Sequence, residues 1–128
     1  MIYLDSSVVL ASIFAEDASP RDTFWDGPLI SSRLLLYEVW NRIHAQGYAI
    51  SRGRDAEMLL EHVELIELSR HILDRVLQPF PIPVRTLDAL HLATMIFLRQ
   101  QGQDVVLASY DHRLLAAAHA LGVDATSL

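Results

Sequence analysis

Ile2-Tyr3-Leu4-Asp5-Ser6-Ser7-Val8-Val9-Leu10 changes character at its centre. Ile2-Tyr3-Leu4 is a short apolar run that ends at Asp5, and Ser7 to Ala15 follows with a helix-like pattern. The same order returns near the other end of the chain. Val105 to Ala108 reads as a strand, Ser109-Tyr110 separate it from Asp111, and Asp111 to Ala120 reads as a helix stopped by Gly122. Val123 is expected to open a short final strand.

Between these two ends, strand and helix patterns alternate. Ser19-Pro20 restarts a short helix through Phe24 and Trp25, and Gly27-Pro28 breaks it. Leu29-Ile30 is a brief strand, and Ser32 to Ala45 is a long helix closed by Gln46-Gly47. Asp55 to Glu64 carries Ala56, Leu59, Leu60 and Val63 at helical spacing. Glu64 to Leu68 alternates like a strand, and Arg70 to Leu77 is helical. Pro79, Pro81 and Pro83 form a stiff linker that continues neither element. Thr86 to Gln100 is a strong helix. Strands separated by helices, with little room for hairpins, imply an α/β fold: a central parallel sheet covered by helices on both faces. Ligands in such sheets bind beyond the carboxyl ends of the strands.

The 128 residues are expected to form one domain, 1–128. With 52% apolar and 20% charged residues the chain is globular rather than disordered. It has no cysteine, so disulfides and thiolate metal sites are excluded, and carboxylates and histidines are the available ligands. Met1 to Ala15 is apolar but lacks the basic start of a signal peptide. No run reaches the ~20 apolar residues of a membrane span. The expected location is the cytoplasm, away from membranes. The net charge of −6 argues against a simple nucleic-acid binder, unless bound cations offset the carboxylates.

Three aspartates stand at helix N-termini: Asp5, Asp88 and Asp111. Each is explained equally well as a cap that satisfies free N–H groups and the helix dipole. Their surroundings add a second reading. Asp88 opens Leu87-Asp88-Ala89-Leu90-His91-Leu92-Ala93-Thr94-Met95-Ile96-Phe97-Leu98, apolar nearly all round and therefore buried. Asp5 lies between two apolar runs, with no lysine or arginine within fourteen positions. Carboxylates so close to a core must be paired, capped or metal-bound. Arg85 is a candidate partner for Asp88. Glu38, on the polar side of its helix, is explained on pattern alone by a pair with Arg42 four residues on. His91, one helical turn after Asp88, reads as a packed core histidine before it reads as a ligand. Arg33, Arg42, Arg85 and Arg113 are candidates for phosphate contact or for ordinary surface pairing.

Tyr3-Leu4-Asp5-Ser6-Ser7, Glu38 in a leucine-rich helix, Leu87-Asp88-Ala89-Leu90-His91-Leu92-Ala93-Thr94 and Leu107-Ala108-Ser109-Tyr110-Asp111 together resemble the PIN-domain pattern. Length and layout resemble the VapC-type toxins of type II toxin–antitoxin pairs. The resemblance implies a three-layer PIN-like fold and an endoribonuclease that hydrolyses phosphodiesters with Mg²⁺, or Mn²⁺. It implies Asp5, Glu38, Asp88 and Asp111 as the acidic site, with Asp5 and Asp88 as direct metal ligands. Glu38 and Asp111 would ligate directly or through water, and Ser6 and Ser109 would orient substrate or water. It further implies a specific RNA substrate (tRNA or rRNA), a cognate VapB-type antitoxin, a homodimer and toxin–antitoxin hetero-oligomers. Operator DNA would be bound only through the antitoxin. The alternatives are a PIN ribonuclease of RNA processing without an antitoxin, and a catalytically inert PIN-like protein-binding module. A phosphatase with a strand-end aspartate nucleophile fits less well, because Ser7 stands where a second aspartate is expected.

Overall fold

The computed structural model describes residues 1–16 and 18–128. In chain order the elements are β1 (Ile2–Leu4), α1 (Ser6–Ile13), a 3₁₀ turn (Asp22–Asp26), β2 (Leu29–Ser32), α2 (Leu34–Ala45), α3 (Ala49–Leu60), β3 (Val63–Ile66), α4 (Arg70–Arg75), α5 (Thr86–Gln100), β4 (Val106–Ala108) and α6 (His112–Ala120). The strands form one parallel sheet in the order β3-β2-β1-β4. The chain therefore builds outward from β1 to β2 and β3, then returns to place β4 on the other side of β1. Parallel crossovers keep one hand, so reversing the direction of travel sends the later helices to the opposite face.

The register makes the two faces explicit. Tyr3 lies beside Ile30 on one side and Leu107 on the other, while Leu4 lies beside Ala108. Side chains alternate along a strand. Tyr3, Ile30 and Leu107 accordingly pack with Leu92, Met95, Leu98 and Leu114 of α5 and α6. Leu4, Leu29 and Ala108 pack with residues of α1, α2 and α3, among them Val8, Leu35, Val39 and Leu60. This is the expected α/β three-layer arrangement. Among the described residues, no helix is long and apolar enough to cross a membrane.

Several boundaries differ from the sequence reading, α4 ending at Arg75 and β3 running Val63–Ile66 among them, and three of the differences have a clear physical cause. The helix expected over Asp55 to Glu64 is α3, which begins at Ala49 and ends at Leu60. Its first turns are polar and contain Gly53, so no apolar period announces them. Packing explains the glycine: a Cβ there would come within 3.2 Å of the Trp40 indole on α2. Val63 leaves the helix because it pairs with Leu29 at the start of β3. Ser32 belongs to β2 rather than to the following helix. Its Oγ accepts the Leu34 N–H at 3.1 Å, and the buried Ser31 hydroxyl donates to the Leu4 carbonyl at 2.7 Å. In place of a final strand at Val123 there is a single parallel bridge between Leu107 and Ala125. Gly122, at φ +80°, ends α6 in the left-handed conformation that a side chain would resist.

Candidate active site

Asp5 is the first residue beyond β1, and its backbone N–H donates to the Ala108 carbonyl of β4 at 3.0 Å. It caps α1 and is only 6% exposed. Its Oδ2 receives three hydrogen bonds: from the Ser7 N–H at 3.3 Å, the Ser7 hydroxyl at 2.6 Å and the Ser109 hydroxyl at 2.8 Å. Each serine also accepts a backbone N–H. Ser7 Oγ accepts that of Tyr110 at 2.9 Å, and Ser109 Oγ that of Asp111 at 2.9 Å. The β1–α1 and β4–α6 loops are thus fastened through one carboxylate oxygen. Oδ1 receives no hydrogen bond among the described residues.

Asp111 follows the same logic. Its Oδ1 caps α6, accepting the N–H groups of Arg113 at 2.9 Å and Leu114 at 3.4 Å. Asp88, in the first turn of α5, forms no ion pair among the described residues; Arg85 does not partner it. Burial pushes the Asp88 carboxyl above its ordinary range. The charges of Asp111, Asp5 and Glu38 push it the same way, against the pull of His91. The capping reading therefore holds for Asp5 and Asp111, but each cap occupies one oxygen. Asp88 caps nothing.

Glu38 does not pair with Arg42. Its Oε1 accepts the Nε2–H of His91 at 2.5 Å, across from α5. The other ring nitrogen, Nδ1, lies 2.7 Å from the Tyr3 hydroxyl, which also accepts the Ser32 N–H at 3.2 Å. Burial alone would pull the His91 pKa down. The bond to Glu38 and the charges of Glu38, Asp5 and Asp88 outweigh it, and the net shift is upward. His91 is a core residue, 1% exposed, but it is bonded at both nitrogens.

Ser6 forms no side-chain hydrogen bond among the described residues; Ser7 takes the bridging place beside Asp5. The sequence holds a signal for this. The second residue after an N-cap presents its N–H to the cap side chain, so Ser7 rather than Ser6 turns back to Asp5. Ser7→Ala removes a donor from a buried carboxylate and leaves the Tyr110 N–H without its acceptor. The expected cost is about 1–3 kcal/mol in urea unfolding, against about 0.5 kcal/mol or less for Ser6→Ala. Equal effects would remove Ser7 from its bridging role.

No three histidine, aspartate or glutamate side chains among the described residues enclose an ion as they stand. The donor chemistry nonetheless fits a hard divalent cation. The unbonded donors are carboxylate oxygens, and the mutual repulsion felt at Asp88 is what a cation relieves. Beside Asp88 lies a cavity of about 350 Å³, lined also by Arg85, Arg113, Pro83 and Val84. A larger cavity of about 610 Å³ around Phe80 and the proline linker contains no charged side chain.

Residues 2–120 match the PIN domain family. The chain belongs to the PIN-domain family. Ribonuclease VapC46 of Mycobacterium tuberculosis (strain ATCC 25618 / H37Rv) is 35% identical over 127 residues, spanning 95% of this chain and 93% of that protein. Two solved structures share the PIN fold at low identity. The M. tuberculosis sarcin-ricin loop cleaving toxin VapC20 has a TM-score of 0.67 and 18% identity, over 91% of this chain and 95% of its own. A toxin–antitoxin complex from Klebsiella pneumoniae has a TM-score of 0.61 and 16% identity, over 94% of each chain.

Proposed function

We propose that this PIN-domain protein is the ribonuclease toxin of a type II toxin–antitoxin pair, a Mg²⁺- or Mn²⁺-dependent endoribonuclease with Asp5, Glu38, Asp88 and Asp111 as its acidic site. One observation carries the reading. The carboxylates of Asp5, Glu38 and Asp111, from three other segments, all bear on the Asp88 carboxylate, and Asp5 and Asp111 follow the adjacent strands β1 and β4. The similarity to a ribonuclease over nearly the whole chain supports it.

In this reading Asp5, through the oxygen its serines leave free, and Asp88 hold the ion. Glu38 and Asp111 ligate directly or through water. When bound, the ion supplies polarisation of the scissile phosphate and activation of water. Ser7 and Ser109 keep the Asp5 carboxylate from turning, and Ser6, with its hydroxyl unengaged, orients water or phosphate. Arg85 and Arg113, beside Asp88, receive the flanking phosphates of RNA. They give a chain of net charge −6 a local positive rim where the polyanion must approach. The toxin reading brings with it a cytoplasmic location, a VapB-type antitoxin, a homodimer, and hetero-oligomers that reach operator DNA through the antitoxin.

The test is incubation of antitoxin-free protein with total cellular RNA, with Mg²⁺, with Mn²⁺, and with EDTA. Discrete cuts that vanish in EDTA and return with added metal are expected, and their map names the RNA. EDTA-resistant cutting, or no cutting by folded protein with either metal, overturns the reading.

A further inference from the structure

The acidic site as proposed makes no use of two buried polar side chains, Tyr3, fully buried in the sheet, and His91, 1% exposed on α5. Neither is an ordinary core residue. Tyr3 presents its hydroxyl to His91 Nδ1 at 2.7 Å, and His91 presents Nε2 to Glu38 Oε1 at 2.5 Å. The Tyr3 hydroxyl is itself fixed by the Ser32 N–H at 3.2 Å, at the end of β2. The three side chains make one line from the floor of the sheet to the carboxylate of α2.

Resting on the ribonuclease reading, we infer that Tyr3 and His91 are positioning residues that set the place and orientation of the Glu38 carboxylate in the metal site. Glu38 needs such help more than the aspartates do. The Asp5 carboxylate is anchored by its helix N-terminus and two serines and that of Asp111 by its helix N-terminus, whereas Glu38 lies within α2 on a longer side chain with no local donor among the described residues. It also projects from the helix layer opposite α5, so a bond from α5 to Glu38 crosses the sheet end from one layer to the other. His91 supplies that bond.

The chemistry of the three groups fixes the direction of the line. An ionised carboxylate only accepts, so Nε2 carries a proton whether the ring is neutral or charged. Burial drives the Tyr3 pKa far upward, so the phenol keeps its proton and donates to Nδ1 of the neutral ring. If the ring is protonated, the phenol oxygen accepts from Nδ1–H instead, and Nε2–H still points at Glu38. One Glu38 oxygen is thereby held, and the other is left for the cation. Hydrogen-bonded supports of this kind affect metal affinity by about 10- to 100-fold when removed.

The experiment measures Mn²⁺ affinity by titration calorimetry, without RNA, on the wild type, Glu38→Gln, His91→Leu, His91→Gln and Tyr3→Phe. Melting curves check each fold, and two-bond ¹H–¹⁵N spectra of the imidazoles report the His91 tautomer. The expected result is an Nε2–H tautomer in the wild type. His91→Leu binds Mn²⁺ about 10- to 100-fold more weakly, and His91→Gln, whose amide offers a donor at the same reach, recovers most of that loss. Tyr3→Phe shows a smaller loss and a mixture of tautomers.

Folded His91→Leu and His91→Gln variants that bind Mn²⁺ like wild type overturn the inference. If His91→Leu does not fold, a wild-type ring lacking the Nε2 proton overturns it, and an Nε2–H ring with Mn²⁺ affinity kept in His91→Gln upholds it. A wild type that binds no Mn²⁺ marks failure of the metal-site reading itself, and the inference falls with it. Loss of affinity in Glu38→Gln but not in the His91 variants rejects the positioning line alone.

Discussion

Asp5→Asn and Asp88→Asn each lose metal-dependent RNA cleavage by about 100- to 1,000-fold while remaining folded, an effect of several kcal/mol on the transition state. The two substitutions fail for different physical reasons. At position 5 an asparagine still caps α1. Its carbonyl must face the Ser7 and Ser109 donors that now hold Oδ2, which turns the NH₂ group toward the place of Oδ1. A hydrogen-bond donor then stands where the proposed ligand oxygen was. At position 88 no hydrogen bond is lost, because the carboxylate makes none to the described residues. The substitution instead removes a charge that burial and three neighbouring carboxylates disfavour.

Asp88→Asn is therefore expected to melt no lower than the wild type in EDTA, and to be stabilised by a few tenths of a kcal/mol or more. Loss of activity combined with unchanged or higher stability is the signature of a residue kept for chemistry. The measurements are initial rates on a mapped RNA site with saturating Mn²⁺ and thermal melting in EDTA. Wild-type cleavage rates in Asp88→Asn would remove this carboxylate from the site, and a lower melting temperature would give it a structural role.

Leu107→Ala is expected to be the most damaging of the purely structural changes. Leu107 is fully buried on the α5–α6 face of the sheet, beside Tyr3 in the register. Truncation leaves a cavity among Leu92, Met95, Leu114 and their neighbours, with an expected cost of about 2–5 kcal/mol. For a chain of this size that lowers Tm by about 10 °C or more. The backbone of Leu107 also bonds to Asp124 and Thr126 at 2.8 and 2.9 Å, so the loosened strand carries the C-terminal segment with it. Urea and thermal unfolding read the effect, and a loss below 1 kcal/mol would mean that the site collapses around the missing atoms.

Much of this was legible in the residues. The alternation of short apolar runs with helical patterns determined a parallel α/β sheet, because each pattern depends only on local spacing. The bounds of α5 follow from Thr86 to Gln100 directly. The positions of Asp5 and Asp111 after strands, and of Asp88 in a first turn, put three carboxylates at the carboxyl edge. Where local pattern and local chemistry agree, the sequence suffices. It does not suffice where a residue's partner is remote. Ala49 to Arg54 has no apolar period, and what its turns pack against, the Trp40 ring of α2 lying close over Gly53, is set by tertiary structure. Glu38 has an adequate neighbour in Arg42, and only the approach of α5 gives it His91 instead, 53 positions away. Local cap geometry brings Ser7 to Asp5, but the Ser109 bond to the same oxygen and the Tyr110 N–H bond to Ser7 come from β4 and its loop, more than a hundred residues later. Sequence spacing by itself determined which elements form and which residues stand at their ends. Tertiary packing decided which of those residues touch, because burial forces each polar group to find a partner, and the nearest one in space is often far away along the chain.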